Sequence, residues 1–172
     1  MKLSFRQVET RENIEAAAEL ASEIWHEYFI SIITVEQIEY MLDKFQSVHA
    51  MTDQIERQGY EYYFMQADGR NVGYIGIKPE GTKLLLSKFY LLKAHRGQGY
   101  ASQAMSFLEE LCRQRKLGAI WLTVNRHNAS TIAVYEKKGF RTVREQVADI
   151  GGGYVMDDYI MEKEIALDEL ER

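Results

Sequence analysis

The feature that most constrains this fold is a junction between a strand pattern and a helix pattern that contains two glycines. An apolar run ends at Leu92, Gly97 and Gly99 follow in a short loop, and a helical spacing of apolar residues begins directly afterwards. Glycines remove side chains that would keep a ligand away from the backbone. Main-chain N–H groups of such a loop can converge on an anion at the positive end of the following helix. The junction therefore favours a cradle for a phosphate group, and an ordinary tight turn between a strand and a helix is the alternative that uses the same glycines.

Two other nucleotide-binding motifs are incompatible with this loop. A dinucleotide-binding fold requires a glycine or an alanine where this chain has Ser102, and an acidic residue about 20 positions farther along. Residues 119–123 contain no carboxylate. A P-loop requires Gly-Lys followed by Ser or Thr, and the sequence contains no such triplet. Both motifs are therefore excluded.

Composition and charge narrow the class of protein further. The 172 residues are 46% hydrophobic and 27% charged, which is typical of a globular protein, and we expect a single domain over residues 1–172. A net charge of −5 disfavours nucleic acid as a partner, because binding phosphates requires a basic face. No apolar run reaches the roughly 20 residues that cross a bilayer, and the start lacks the apolar core of a secretion signal. We therefore expect no membrane partner and a cytoplasmic location.

Hydrophobic spacing along the chain predicts an α/β (α+β) fold with the element order β-α-α-β-β-β-α-β-α-β-β. Hairpin signals come first, as at Asp68-Gly69, and a strand–helix–strand crossover follows later. This arrangement predicts a mixed, mostly antiparallel central sheet flanked by helices. The expected strands cover 3–8, 60–67, 71–78, 83–92, 119–124, 141–150 and 154–165, and the expected helices cover 12–28, a stretch from 34 that extends as far as 57, 101–116 and 128–138.

A second motif lies at residues 128–140. Asn128 is a good N-cap, and Ile132, Tyr135 and Gly139 follow along one face toward the helix end. By its residues alone, this segment describes a capped helix with a tyrosine in the core.

Together the two motifs are more specific. The spelling Arg96-x-x-Gly99-x-Ala101 resembles the R/Q-x-x-G-x-G/A signature of the GNAT superfamily of N-acetyltransferases. The asparagine, tyrosine and Gly-Phe of residues 128–140 resemble the pattern that this superfamily carries downstream, after one helix and one strand. The resemblance extends over the whole chain, and residues 151–163 resemble the polyamine-acetylating (spermidine/spermine) branch.

The resemblance implies acetyl-CoA as co-substrate and assigns roles to both motifs. Amides of the glycine loop would hold the coenzyme's pyrophosphate, and the end of the preceding strand would pair with the pantetheine arm. Tyr135 would be the general acid, because a phenol with an ordinary pKa of about 10 stays protonated at neutral pH and can protonate the departing thiolate. The implied coenzyme contacts are Phe89, Tyr90, Leu91, Arg96, Gly97, Gln98, Gly99, Tyr100, Ala101, Ser102 and Asn128.

The acceptor is expected to be the primary amine of a small molecule, a polyamine if the branch resemblance holds. Asp157 and Asp158 are the candidate partners of its ammonium group, and an ordinary hairpin with an acidic edge is the competing interpretation. An amine of a peptide or protein remains an alternative acceptor. The late strands are a candidate surface for a homodimer, although no residue pattern fixes one.

The group that deprotonates the amine is left open. Many relatives place a glutamate on the strand before the loop, whereas residues 83–88 contain no carboxylate. Alkylammonium groups have pKa values near about 10.4, so a proton must be removed before attack. Glu61, Asp157 or Asp158 acting through water is one option, and use of the small neutral fraction of the amine is another. The missing glutamate also motivates an alternative function, a CoA-binding regulatory protein with little turnover.

The remaining reactive residues carry less information. The four histidines, His26, His49, His95 and His127, have no mutual spacing typical of a metal site, and no metal is expected. Cys112, the single cysteine, excludes an internal disulfide and is expected to pack in the core. The neighbouring aromatic residues at 62–64 belong either to the core or to a substrate cleft.

Overall fold

The computed structural model describes residues 2–167, which form the predicted succession of helices and strands with one additional helix before the second strand. The strands are β1 (Ser4–Gln7), β2 (Glu61–Ala67), β3 (Arg70–Glu80), β4 (Lys83–Leu91), β5 (Ala119–Asn125), β6 (Arg141–Gly151) and β7 (Tyr154–Glu164). The helices are α1 (Arg11–Phe29), α2 (Val35–Phe45), α3 (Val48–Arg57), α4 (Tyr100–Arg115) and α5 (Ala129–Lys137), with a 3-10 turn at Lys93–His95.

Within residues 2–167, the strands form one seven-stranded sheet in the order β1-β2-β3-β4-β5-β7-β6. The β4–β5 pairing is parallel, and the β1–β2, β2–β3, β5–β7 and β6–β7 pairings are antiparallel. The predicted mixed, mostly antiparallel sheet is confirmed. The stretch expected to be helical as far as residue 57 is divided in two, because Ser47 caps a separate α3 by accepting a hydrogen bond from the Ala50 N–H group.

The residues fall into two compact units, whose described parts are 2–78 with 88–104, and 79–87 with 105–167. In the first unit, α1 begins with a reciprocal cap. The Thr10 hydroxyl accepts from the Asn13 N–H group at 3.1 Å, and the Asn13 side chain accepts from the Thr10 N–H group at 3.4 Å. The buried face of α1 then runs from Ile14 to Phe29 at helical spacing.

A chain of hydrogen bonds crosses the core of this first unit. The Trp25 indole donates to the Tyr74 hydroxyl at 2.8 Å, and that hydroxyl donates to Gln46 Oε1 at 2.7 Å. The Gln46 amide donates to the Tyr62 hydroxyl at 3.0 Å, which donates to Gln54 Oε1 at 2.6 Å. Burial raises the pKa of both tyrosines above the ordinary value. Each phenol therefore stays neutral and bonded.

The aromatic run that follows Glu61 belongs to the core. Tyr62, Tyr63 and Phe64 are 1%, 8% and 2% exposed, so all three side chains pack in the core. Next to this run, β3 requires glycine at two positions. A Cβ at Gly73 would collide with the carbonyl oxygen of Tyr90, and one at Gly76 would lie 2.8 Å from the Tyr62 ring. These glycines allow β3 to lie close to its neighbours.

In the second unit, the start of β4 pairs with β5 from Lys83 to Leu85, and Gly118 donates to the Thr82 carbonyl at 2.7 Å. The later turns of α4 contribute a buried face that includes Cys112, which is 0% exposed. Burial raises the pKa of this thiol to about 11, so it is not a nucleophile at neutral pH. The prediction that Cys112 is a packing residue is confirmed.

Candidate active site

The predicted strand-to-helix junction is present in the structure. After β4 the chain makes the 3-10 turn, and α4 begins at Tyr100. Gly97 and Gly99 have φ values of 77° and 79°, in the left-handed region that favours glycine. The first turn of a helix directs its N–H groups out of the helix end, where the macrodipole is positive. The loop and the start of α4 therefore form a site suited to an anion.

The predicted coenzyme residues around this junction differ in exposure. Gly97, Gln98 and Gly99 are exposed, as is Ser102 in the first turn of α4. Tyr100, by contrast, is 3% exposed, so its side chain anchors the start of the helix in the core while its backbone lies at the loop. Ala101 is half-buried. Their contacts with a coenzyme stay predictions.

Tyr90 is held by an aromatic cluster of the first unit. Its ring centroid lies 5.7 Å from that of Trp25, 5.4 Å from that of Tyr28, 6.1 Å from that of Phe29 and 5.8 Å from that of Tyr74. Most of these contacts are edge-to-face, the favoured arrangement for aromatic pairs. The cluster fixes the end of β4, where the resemblance predicts that Phe89, Tyr90 and Leu91 contact the pantetheine arm.

The side chain of Arg96, the first residue of the loop motif, contacts other residues of the first unit. Its Nε and Nη2 atoms each donate to the Leu91 carbonyl at 3.2 Å, and its guanidinium lies 4.8 Å from the centre of the Tyr28 ring. One turn earlier, the Glu27 carboxylate accepts from the Lys93 N–H group at 2.6 Å. Sequence reasoning missed Glu27 and Tyr28, because no local pattern relates residues 66 positions apart.

In the second unit, Asn128 precedes α5 as its N-cap and Tyr135 lies within the helix. The Asn128 side chain accepts from the Thr131 N–H group at 3.4 Å, which confirms the predicted N-cap, and the residue is 8% exposed. Tyr135 is half-buried, and its ring meets Phe140 edge-to-face at 5.3 Å. Gly139, with φ at 96°, reverses the chain so that the Phe140 N–H group donates to the Tyr135 carbonyl at 3.0 Å.

The two acidic acceptor candidates on β7 have different surroundings. Asp157 accepts from Arg126 Nε at 2.7 Å, while Arg126 Nη2 donates to Glu145 at 2.9 Å and the guanidinium lies 5.0 Å from the centre of the Tyr159 ring. The hydrogen bond to Asp157 raises the pKa of Arg126, whose positive charge is shared by Asp157 and Glu145. Asp158 is 3% exposed and pairs in register with Asn125.

Three further observations concern a candidate base, metal binding and membrane spanning. Glu61, one of the candidate bases, accepts a hydrogen bond from the Tyr63 hydroxyl at 2.8 Å. In residues 2–167, His, Cys, Asp and Glu form no group of three or more that could hold a metal ion. None of the described helices combines the length and the apolar character that spanning a membrane requires.

Comparison with known sequences agrees with both motifs. Residues 18–140 match the model of the acetyltransferase (GNAT) family. An uncharacterized N-acetyltransferase of Lactobacillus delbrueckii subsp. lactis is 24% identical over 136 residues, which are 74% of this chain and 78% of that protein. A spermidine N(1)-acetyltransferase of Thermoplasma acidophilum is 26% identical over 156 residues, which are 88% of this chain and 91% of that protein.

Comparison with solved structures agrees at the level of the fold. The crystal structure of the PaiA N-acetyltransferase from Thermoplasma acidophilum, in complex with coenzyme A, matches with a TM-score of 0.76 and 23% sequence identity. The match covers 95% of this chain and 99% of that one. The sheet order and its flanking helices are therefore those of a known acetyltransferase architecture.

Proposed function

Because this chain belongs to the acetyltransferase (GNAT) family, we propose that it moves an acetyl group from acetyl-CoA to a primary amine of a small molecule. The family match confirms the resemblance inferred from the two motifs, and the chain is an acetyl-CoA-dependent N-acetyltransferase. The proposal treats residues 1–172 as one N-acetyltransferase domain. The acceptor class and the roles of individual residues are its open parts.

The observation that carries the proposal is the glycine junction. Two left-handed glycines and an adjacent helix start leave the backbone accessible to an anion, and a diphosphate is an anion of suitable size. We assign the diphosphate of acetyl-CoA to the N–H groups of residues 97–102. The Arg96 N–H group, which the resemblance also assigned to the diphosphate, already donates to the Lys93 carbonyl at 3.3 Å. The solved PaiA structure, a complex with coenzyme A, supports this choice of ligand.

In the proposed reaction, both substrates are bound together and the amine attacks directly. The amine nitrogen forms a bond with the thioester carbonyl carbon, and the C–S bond breaks when the tetrahedral intermediate collapses. A backbone N–H group near Tyr90 stabilises the oxyanion, and the Tyr135 hydroxyl gives its proton to the departing sulfur. Asn128 contacts the pantetheine arm. Before attack, one ammonium proton leaves for solvent or for a carboxylate acting through water. After attack, the nitrogen loses a second proton, which returns the Tyr135 phenolate to the phenol.

Two observations support a polyamine as the acceptor. One relative is a spermidine N(1)-acetyltransferase that aligns over 88% of this chain. The net charge of −5 also favours the approach of a polycation. Of the two candidate aspartates, we assign the acceptor's ammonium mainly to Asp158, because Asp157 already shares its charge with Arg126.

The experiment that tests the proposal measures release of free CoA from acetyl-CoA with a panel of polyamines, amino acids and peptides. We expect acceptor-dependent release that is fastest with polyamines. Release that is fastest with a peptide would keep the enzyme class and replace the acceptor. Absence of release with every amine, in a protein that still binds CoA, would overturn the proposed transfer.

That last outcome corresponds to a second candidate function, a CoA-binding regulatory protein. The observation in its favour is that residues 83–88, which lie in β4, include no carboxylate that could serve as a base. The tyrosine at position 135 argues for turnover, because a regulator has no use for a proton donor beside the sulfur.

A further inference from the structure

We propose that Glu27 and Tyr28, at the end of α1, are positioning residues that hold the diphosphate-binding loop in its binding conformation. They act through Lys93 and Arg96, which lie between β4 and the glycines. This inference rests on the proposed function, since it assumes that the loop binds the diphosphate. It also gives Arg96 a new role, that of stabilising the loop through contacts with other residues of the protein.

The loop needs external support because of its composition. Gly97 and Gly99 are exposed, and glycine has the largest conformational freedom to lose when a segment becomes ordered. A loop that is already ordered before the ligand arrives binds more tightly, because the entropy has been lost during folding. Contacts that fix the residues just before Gly97 therefore strengthen diphosphate binding without touching the ligand.

Glu27 provides the strongest of these contacts. Its carboxylate accepts from the Lys93 N–H group at 2.6 Å, a short hydrogen bond to a charged acceptor. The same oxygen lies 3.9 Å from Arg96 Nη2, a distance too long for a hydrogen bond. Both side chains are partly exposed, so water weakens the attraction between their charges. Glu27 consequently acts mainly on the backbone of the 3-10 turn, and only weakly on the charge of Arg96.

Arg96 provides the stabilising contacts on the side of the loop. Its two bonds to the Leu91 carbonyl close the 3-10 turn into a ring, and its guanidinium plane lies against Tyr28. The Tyr28 ring also contacts the Tyr90 ring. A single pair of α1 residues thus fixes both the end of β4 and the entry to the glycine loop. This makes the position of α1 a determinant of coenzyme affinity.

The test is a graded series at Glu27, with CoA as the probe in calorimetry. Glu27→Ala should weaken CoA binding about tenfold, because the loop loses one charge-assisted hydrogen bond and a tenfold change in Kd corresponds to its free energy. Glu27→Gln keeps an oxygen acceptor for the Lys93 N–H group, so its affinity should lie between that of Ala and that of the wild type. Glu23→Ala, on an exposed carboxylate one turn earlier, is the matched control and should bind as the wild type does.

Two further readouts separate positioning from a general loss of stability. Hydrogen exchange in the ligand-free protein should show faster exchange of the Lys93 amide in Glu27→Ala, with α4 protected as before. With the most active amine of the acceptor panel, KM for acetyl-CoA should rise about as much as the CoA Kd while kcat stays within about twofold. Arg96→Lys, which keeps the charge and loses the paired bonds, should show the same split.

The outcomes distinguish this inference from the proposed function. If the wild type binds CoA and Glu27→Ala binds it equally well, the positioning role is wrong and the proposed function stands. If Glu27→Ala lowers kcat and leaves KM unchanged, the inference is also wrong, because the residue then acts on the chemical step. If the wild type itself does not bind CoA, the proposed function fails first.

Discussion

Arg126 donates two hydrogen bonds to Asp157: its side-chain Nε donates to the carboxylate at 2.7 Å, and its main-chain N–H group donates to the carbonyl at 3.0 Å. Side chain and backbone of Arg126 therefore bind the same residue of β7. This double contact fixes the turn between β5 and α5, in which Asn128 caps the helix that carries Tyr135. It also decides how the two neighbouring aspartates can be used.

We predict that the two aspartates differ in their effect on a cationic acceptor. Asp158→Asn should raise KM for a polyamine about tenfold, because one charge partner of an ammonium is lost. Asp157→Asn should raise it much less, since the charge of Asp157 is already shared with Arg126. Steady-state kinetics with saturating acetyl-CoA provide the measurement.

A structural origin of either effect is tested by urea denaturation of both variants. Asp157→Asn should lower the midpoint, because the Arg126 contact weakens. A similar rise in KM for both variants would contradict the assignment to Asp158. The same would hold for a rise with an uncharged amine as large as that with the polyamine.

The Tyr135 phenol is predicted to serve the chemical step alone. Tyr135→Phe keeps the ring that packs edge-to-face on Phe140, so the helix and its return should be preserved. Loss of a general acid should lower kcat by about 100-fold, with CoA affinity within about twofold. Single-turnover rates and CoA calorimetry measure the two quantities. Wild-type kcat in the Phe variant would remove Tyr135 from the mechanism.

Gly99 is predicted to matter for the ligand more than for folding. Gly99→Ala places a side chain at φ 79°, which should cost about 1–2 kcal/mol of stability and also obstruct the approach of the diphosphate. The hairpin residue Gly69 has φ 73°, and Gly69→Ala is the matched control with the same backbone strain. Thermal denaturation should give similar losses for both. CoA binding should weaken only in Gly99→Ala.

Only some parts of this site can be predicted from the sequence. The glycine junction and the capped helix at Asn128 are local patterns, and local spacing is sufficient to predict them. The Glu27–Lys93 contact joins residues 66 positions apart, and the Arg126–Asp157 pair joins residues 31 apart. Such contacts depend on sheet order and helix packing, which no short segment encodes.

The aromatic run at residues 62–64 illustrates the same limit. Its residue types suit a buried strand and a substrate cleft equally, so the sequence leaves both open. Tyr62 lies in the core because Gln46, the residue that follows α2, donates a hydrogen bond to its hydroxyl, and Gln54 of α3 accepts one from it. Those partners cannot be read from the strand itself. Burial of a tyrosine becomes predictable only with its polar partners.

This buried network leads to a prediction for alkaline pH. Burial raises the folded-state pKa of Tyr62 and Tyr74, whereas in the unfolded chain a tyrosine ionises near pH 10. Above about pH 10 the unfolded state therefore releases protons that the folded state retains, and stability falls by about 1.4 kcal/mol per pH unit for each such tyrosine. Cys112 adds to this loss from about pH 9, up to its folded-state pKa of about 11.

Tyr62→Phe isolates the contribution of one phenol. The variant should be less stable at pH 7, because the Gln46 amide loses an acceptor, yet its stability should fall less steeply between about pH 10 and pH 11. Urea denaturation at closely spaced pH values gives both numbers. Tyr60→Phe changes a nearby tyrosine that is only half-buried, and serves as the control. Equal slopes for the wild type and Tyr62→Phe would show that the Tyr62 phenol ionises as readily in the folded protein as in the unfolded chain.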